Sequence, residues 1–548
     1  MRWRGVLVAF LLAYLTPFLC ADSQENNQWF QAGVDLIKAN LKVRENRNTA
    51  KNAIMFLGDG MGISTVTAAR ILEGQMRGET GEENWLSFEK FPWTALSKTY
   101  NTDQQVADSA GTATAYLNGV KARAGTIGVD ETVVRGLCKT MTEKAKVKSI
   151  ITLAEEAGMS TGFVTTTRVT HASPAVLYAH SPDRDWSSDY YKRRYATKGD
   201  NNTACKDIAL QLSEYSHGDG IDVIFGGGRR DFMPNNETDP EYPTEKGYRG
   251  DGRNLIDEWI LRHQDAVYLW NKTDFDALDV TRVKQVMGLF EPSHMQYEVD
   301  RKNDTGGEPS IAEMTEKAIR ILSRNPKGYF LFVEGGRIDH GHHAAKAVRA
   351  LTDAIAMAEA VKKATDITNK DDTLILTTAD HSHTFTISGY PKRGNPIFGL
   401  VVDIYNRTVV ASSDKLPYTT LGYANGPGGL KVNATRADLT MVNTADKDFK
   451  SQALYYQSSE AHGGEDVGIY ADGPGAYLMH GVVEQNYIFH VMDHALCLSD
   501  SKQGTCTRHV TRGGAPKTTP RPPRGAASSL VPGLWMMILL SVMARFGN

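Results

Sequence analysis

The sequence is poor in cysteine, with five in 548 residues, and their spacings match no tight zinc-binding pattern. It also lacks a basic stripe. With 61 Lys and Arg against 64 Asp and Glu, the formal net charge is −3, which leaves no electrostatic footprint for nucleic acid as a partner. No apolar run reaches the roughly 20 residues that span a bilayer comfortably. No segment repeats at a fixed period, which excludes solenoids and propellers. What is present, with 41% hydrophobic and 23% charged residues, is an ordinary globular composition. The length suits two or three average domains, or one large α/β domain with insertions.

The two ends carry the compartment. A short basic start precedes an apolar run over residues 5–19 and then the small Ala21, the pattern of a secretory signal peptide over residues 1–21; an uncut signal anchor is the competing reading. At the other end an apolar run over residues 530–544, broken by Pro532 and Gly533, follows the small residues Gly525, Ala526, Ala527, Ser528 and Ser529. That pattern reads as a glycosylphosphatidylinositol (GPI) attachment signal. It implies a flexible stalk over residues 507–525, a removed propeptide over residues 526–548, and a protein tethered to the extracellular face of the plasma membrane. A short transmembrane stub is the alternative. Cys20 lies at the signal boundary, and the rest, Cys138, Cys205, Cys497 and Cys506, suit disulfides in an oxidising compartment. The local pairing joins Cys497 to Cys506 and leaves Cys138 with Cys205. Sequons at Asn201, Asn236, Asn271, Asn303, Asn406 and Asn433 fit a glycosylated secreted surface.

Between the ends, short β-rich apolar runs stand at residues 53–57, 161–166, 222–226, 329–333 and 373–378. Continuous rather than alternating apolarity marks strands buried on both faces. Helical patterns at residues 311–324 and 344–364 fall between them. Strands alternating with helices predict an α/β fold, a large mostly parallel central sheet with helices on both faces. From about residue 388 to 458 the regularity lapses into Gly, Pro, Asn and Tyr, which predicts an inserted surface subdomain.

The chemistry follows the strands. The first run leads into Asp59, the second into His171 and Ser173, the fourth into Glu334, Asp339, His340, His342 and His343, and the last into Asp380, His381 and His383. Carboxyl ends of parallel strands share one edge, where ligands bind. Five of the 15 histidines lie between His340 and His383, which favours a metal site over scattered surface histidines. Asp339 and His343 are four apart and share a helix face. His462, followed by two glycines, is a further ligand candidate. Mixed His and Asp ligation suits zinc, and the all-oxygen set Asp59, Ser173 and Glu334 suits magnesium. Each residue alone has a plain alternative as a cap, a turn former or a solvated side chain. Ser109 opens a run of small residues that reads as a helix start, where the amide dipoles favour a phosphate oxygen; Asp108 or Ser109 as a simple N-cap is the alternative. Arg184 and Arg168 are both candidate phosphate clamps.

The motifs GDGMG, VADSAGTATAY, HASPA, FVEGGRIDHGHH, TADHSH and AHGGEDV, in this order, resemble the animal alkaline phosphatases. The similarity spans about residues 25–506, and residues 22–506 form the catalytic domain on this basis. The resemblance implies a phosphoserine mechanism on Ser109, hydrolysing small phosphate monoesters at alkaline pH with two zinc ions and one magnesium per subunit. Asp59 bridges one zinc and the magnesium in the family pattern; Asp380, His381 and Ser109 complete that zinc site. Asp339, His343 and His462 match the second zinc, and Ser173 and Glu334 the magnesium, with His171 just outside. Arg184 matches the family's phosphate-binding arginine, while His340, His342 and His383 become flanking residues. A calcium site is implied at Glu241, Phe290 (through its carbonyl), Glu291 and Glu308; the last departs from the family's usual Asp, and two extra residues precede it. The resemblance further implies a homodimer embraced by an N-terminal helix over residues 28–42, capped by the crown-like stretch 388–458. Rival functions are a phosphodiesterase or sulfatase of the same superfamily, or a non-catalytic cell-surface binding protein.

Overall fold

Ten strands form the central sheet: β1 (Asn52–Gly58), β2 (Trp93–Lys98), β3 (Ser160–Arg168), β4 (Val223–Gly227), β5 (Val267–Leu269), β6 (Val286–Leu289), β7 (Tyr329–Gly335), β8 (Thr373–Ala379), β9 (Val467–Asp472) and β10 (Gly481–Glu484). Their spatial order is β10-β2-β9-β8-β1-β7-β3-β4-β6-β5. Neighbours are parallel throughout except at β9, which runs antiparallel to β2 and β8. This is a computed structural model, and it describes residues 24–200 and 202–499. The signal peptide, stalk, propeptide, Cys20, Cys506 and Asn201 lie outside the described residues.

The central strands β1, β7 and β8 are buried at every position, because successive side chains enter opposite layers and both layers are apolar. Along β1, Ala53, Met55 and Leu57 pack into one cluster with Ala110, Ala113 and Leu117 of helix Ser109–Asn118 and with Ile488 and Met492 of helix Tyr487–Leu496. Ile54 and Phe56 enter the other cluster, against helices Ile63–Met76, Ile311–Leu322 and Ala347–Ile367. Helices therefore cover both faces. Helix Ile311–Leu322 starts on a capping box, with Ser310 accepting from the Glu313 amide and Glu313 from the Ser310 amide, an arrangement worth about 1 kcal/mol.

The expected helix over residues 344–364 is found as Ala347–Ile367, preceded by a separate short helix, Arg337–His343. Ala345 sits in the left-handed region at φ 54°, and the Lys346 amide turns back to Gly341 O at 2.9 Å, which ends the first helix. The flanking strands are short or alternating, and β6 (Val286–Leu289) is apolar and buried throughout but only four residues long. β2 and β9 alternate between buried and more exposed positions. Residues 385–387, 421–426 and 453–456 make a separate three-stranded sheet, and turns and isolated bridges fill much of the intervening stretch. Among the described residues no helix is long and apolar enough to cross a membrane.

Candidate active site

Register brings the reactive ends together. Leu57 of β1 lies beside Glu334 of β7 and Thr378 of β8, and Glu334 lies beside Thr165 of β3. Asp59 and Asp380 each follow these positions by two residues. Between them the chain turns sharply at Gly60, φ 69°, whose amide donates to Asp380 Oδ1 at 2.9 Å. A Cβ at Gly60 would meet His383 Nε2 at 2.4 Å, so glycine here permits close approach of two strand ends.

Ser109 is the first residue of a wholly buried helix that ends on the left-handed Gly119. Asp108 is its N-cap and accepts the amides of Gly111 at 3.1 Å and Ala110 at 3.3 Å. The same carboxylate receives Arg184 Nη1 at 3.0 Å, so one residue caps the helix that begins at Ser109 and aims the candidate clamp. Ser109 Oγ lies 3.2 Å from His381 Nε2 and 3.4 Å from Asp59 Oδ1.

Around Ser109 three ligand groups converge, each with its donor atoms within 4.8 Å of one another: Asp59, Asp380 and His381; Asp339, His381, His383 and His462; and Asp59, His171 and Glu334. His343 joins the second group, 3.4 Å from Asp339 Oδ1 and 3.1 Å from His462 Nε2. His462 is oriented by Ala107 O, 2.7 Å from its Nδ1. His171 lies close to the third group, with a ring nitrogen within 4.8 Å of oxygens of Asp59 and Glu334.

His383, expected as a flanking residue, touches the second group through Asp339. Its Nε2 lies 2.9 Å from Asp339 Oδ1 and its Nδ1 2.5 Å from Glu460 Oε2. Burial opposes its charge, but the hydrogen bonds to Asp339 and Glu460 raise its pKa to about 9. Glu460 carried no sequence signal; it stands 77 residues from His383. His342 is structural, bonded to Thr65 Oγ1 at 3.0 Å and Tyr423 OH at 2.9 Å. His340 packs its ring against His171 and His294, and Arg337 Nη1 lies 3.1 Å from its Nδ1.

The electrostatics call for cations. Asp59, Glu334, Asp339 and Asp380 are all buried. In the polypeptide alone, burial and then the neighbours Asp380, Asp339 and Glu334 raise the Asp59 pKa well above the usual carboxylate range. Burial likewise lifts Glu334 to about 7. His381 is driven well down by burial and by His462. Asp59 Oδ2 and Glu334 Oε1 are buried without a hydrogen-bond partner, and so is Ser173 Oγ. Orphaned carboxylate oxygens facing one another fit a bound cation, since like charges left unpaired in the interior are strongly unfavourable.

A second acidic group lies elsewhere. Glu241, Glu291 and Asp304 bring oxygens within 4.8 Å, and Tyr242 OH donates to Glu291 at 3.1 Å and Asp304 at 3.3 Å. Asp304 joins the two glutamates, and Glu308, with Oε2 buried and unpartnered, lies near enough to Glu291 and Asp304 to feel their charge. The Glu308 Oε1 atom is occupied by the Gln296 amide at 2.9 Å. The glycine pair Gly306–Gly307, the latter at φ 69°, lets the loop fold so that the Gly306 amide donates to Glu241 at 2.7 Å. Phe290 is buried against Phe225 and Phe275. Cys138 and Cys205 form a disulfide; Cys497 is also disulfide-bonded, its partner lying outside the described residues.

The alkaline phosphatase family pattern matches residues 50–498. The chain belongs to the alkaline phosphatase family. It is accordingly a phosphomonoester hydrolase. The tissue-nonspecific alkaline phosphatase of Rattus norvegicus is 51% identical over 88% of this chain and 90% of that protein. An alkaline phosphatase of Gadus morhua is 50% identical over 87% and 97%. Among solved structures, the alkaline phosphatase of Thermus thermophilus superposes with a TM-score of 0.58 at 21% identity, over 83% of this chain and 93% of that one; this likeness concerns the fold. Metal cofactors follow from membership, and this alkaline phosphatase offers buried ligand clusters for them.

Proposed function

We propose that the protein hydrolyses phosphate monoesters at alkaline pH through a phosphoserine on Ser109, with two zinc ions and one magnesium. Asp59, Asp380, His381 and Ser109 would hold one zinc, Asp339, His343 and His462 the other, and Asp59, Ser173 and Glu334 the magnesium, with His171 beside it. His383 and Glu460 orient Asp339. When bound, the cations supply positive charge that activates the nucleophile and stabilises the attacking and leaving oxygens. The single observation supporting this reading is the sharing of Asp59 and His381 between ligand groups that enclose Ser109 Oγ.

The chain's own residues then do the following. Ser109 Oγ attacks phosphorus from the N-terminus of a buried helix, whose amides and dipole favour the phosphate oxygens. The bond to the substrate's alcohol oxygen breaks as the phosphoserine forms, and water then attacks the same phosphorus to release inorganic phosphate and the Ser109 hydroxyl. Arg184, held by Asp108, grips two non-bridging oxygens at once and compensates their charge in the transition state.

The decisive experiment measures metal content together with monoester hydrolysis before and after chelation, with Ser109→Ala alongside. Loss of activity on chelation, recovery with zinc and magnesium, and a fall of at least about 10⁴-fold in Ser109→Ala are expected. Undiminished hydrolysis by Ser109→Ala would remove the nucleophile from this scheme.

The same reading places calcium at Glu241, Glu291 and Asp304, next to Phe290 and Glu308. It takes the protein to be a homodimer on the extracellular face of the plasma membrane. The exposed sequons at Asn236, Asn303, Asn406 and Asn433 suit glycans better than Asn271, whose amide caps a helix and donates to Asp274 at 2.8 Å. The GPI anchor predicts release from cells by a phosphatidylinositol-specific phospholipase; retention on the membrane after treatment would favour a transmembrane stub.

A further inference from the structure

Assigning the reacting phosphate to Arg184 leaves Arg168 without a task, and its surroundings are rich in positive charge. Arg168 ends β3, with Nη1 at 2.7 Å from His294 Nε2. The His294 ring lies edge-on to His171, centroids 5.3 Å apart, and His171 Nε2 is 3.5 Å from Arg184 Nη2. A pair of imidazoles thus separates the two guanidinium groups. Both rings are kept neutral, their pKa values pushed well down by burial and then by the neighbouring arginines. Arg168 and Arg184 reach solvent to a similar extent, 22% and 20% of their side chains.

Arg230 adds a third cation, and it disfavours the charge on Arg168. Nearby carboxylates compensate only part of this charge, two of them facing three guanidinium groups. Asp108 is paired with Arg184, and Asp231, 3.9 Å from Arg168 Nε, supports the Arg168 charge while accepting Thr170 Oγ1 at 2.6 Å. Arg230 makes no ion pair among the described residues. It is held by neutral groups, donating to Tyr191 OH at 3.3 Å and Tyr248 OH at 3.4 Å, with its guanidinium 4.5 Å above the Tyr248 ring. The Nε atoms of Arg168 and Arg230 are both buried without a hydrogen-bond partner. Two preoriented guanidinium groups with donors to spare are suited to a doubly charged tetrahedral anion.

We propose that Arg168 and Arg230, framed by Tyr191 and Tyr248, form a second anion subsite beside the catalytic clamp that receives a phosphate carried on the substrate's leaving group. This rests on the hydrolytic reading of the Ser109 site. Substrates bearing two phosphates would be bound with one at Ser109 and the other on the arginine shelf, so selectivity among monoesters would be set partly outside the reacting centre.

The test compares the metal-loaded wild type, Arg230→Gln and Arg230→Lys on glycerol 2-phosphate and fructose 1,6-bisphosphate. Arg230→Gln is expected to lower kcat/KM for the bisphosphate about tenfold, chiefly through KM, and to leave glycerol 2-phosphate within about twofold. Arg230→Lys, which keeps the charge, should recover much of the loss. Equal losses on both substrates would show a merely structural role, and unchanged values on both would show that the shelf is unused; either outcome overturns the subsite. A wild type inactive on both substrates would instead refute the hydrolytic reading.

Discussion

Asp59 sets the terms at the scale of single residues. It belongs to two ligand groups, its Oδ1 lies near Ser109 Oγ, and its Oδ2 has no partner of its own. Glu334 shares that environment and has a pKa near 7, raised by burial against the opposing hydrogen bonds of Thr165 and Thr167. Only the ionised carboxylate is a good ligand for a hard cation. A pKa raised to about 7 means that the group is protonated below that pH in the metal-stripped protein, so affinity must rise as pH passes upward through 7. Magnesium titration of stripped protein should therefore be weaker at pH 6 than at pH 8.5 by about tenfold from this group alone, one unit of protonation being a factor of ten. A pH-independent affinity, followed by calorimetry, would contradict the burial argument.

Among the elements, the segment between Cys138 and Cys205 is the most consequential, because it contains β3, His171, Ser173 and Arg184. The disulfide closes it across a separation of 67 residues, with Trp186 packed between the two cysteines. Loop-closure entropy for that length amounts to about 4 kcal/mol, with strain and residual structure tending to lower the figure. The double variant Cys138→Ser, Cys205→Ser is expected to lose about 3 kcal/mol of stability in denaturant titrations; a loss below about 1 kcal/mol would mean that packing around Trp186 holds the segment unaided. Helix Ser109–Asn118 illustrates how far local pattern carries: its start was legible from small residues after Asp108, whereas the second duty of Asp108, aiming Arg184 from 76 residues away, was not.

On the scale of the whole molecule, helix Gln28–Asn40 has no buried residue. Trp29, Leu36 and Ile37 are 59%, 55% and 63% exposed, a concentration of apolar surface that a soluble chain seldom leaves to water. A second copy of the chain is the occupant that the proposed homodimer supplies. Leu36→Ser with Ile37→Ser should shift the sedimentation equilibrium toward monomer at protein concentrations where the wild type is dimeric, and a dimer of unchanged affinity would remove this helix from the interface.

The buried strands β1, β3, β4, β7 and β8 were legible because each is a continuous apolar run, and the carboxylates and histidines that follow them were legible because chain direction puts such ends on one edge. The flanking strands were not, being short or alternating and dependent on neighbours for their pairing. The sequence by itself determined which chemical groups gather at the strand ends, since hydrophobic patterning specifies strand direction and order of appearance. Only the tertiary structure decided that His383 meets Glu460, that Asp304 joins Glu241 and Glu291, and that His294 stands between Arg168 and His171. Those contacts join loops distant in the chain, and loop closure obeys packing and hydrogen bonding rather than any local period that a sequence displays.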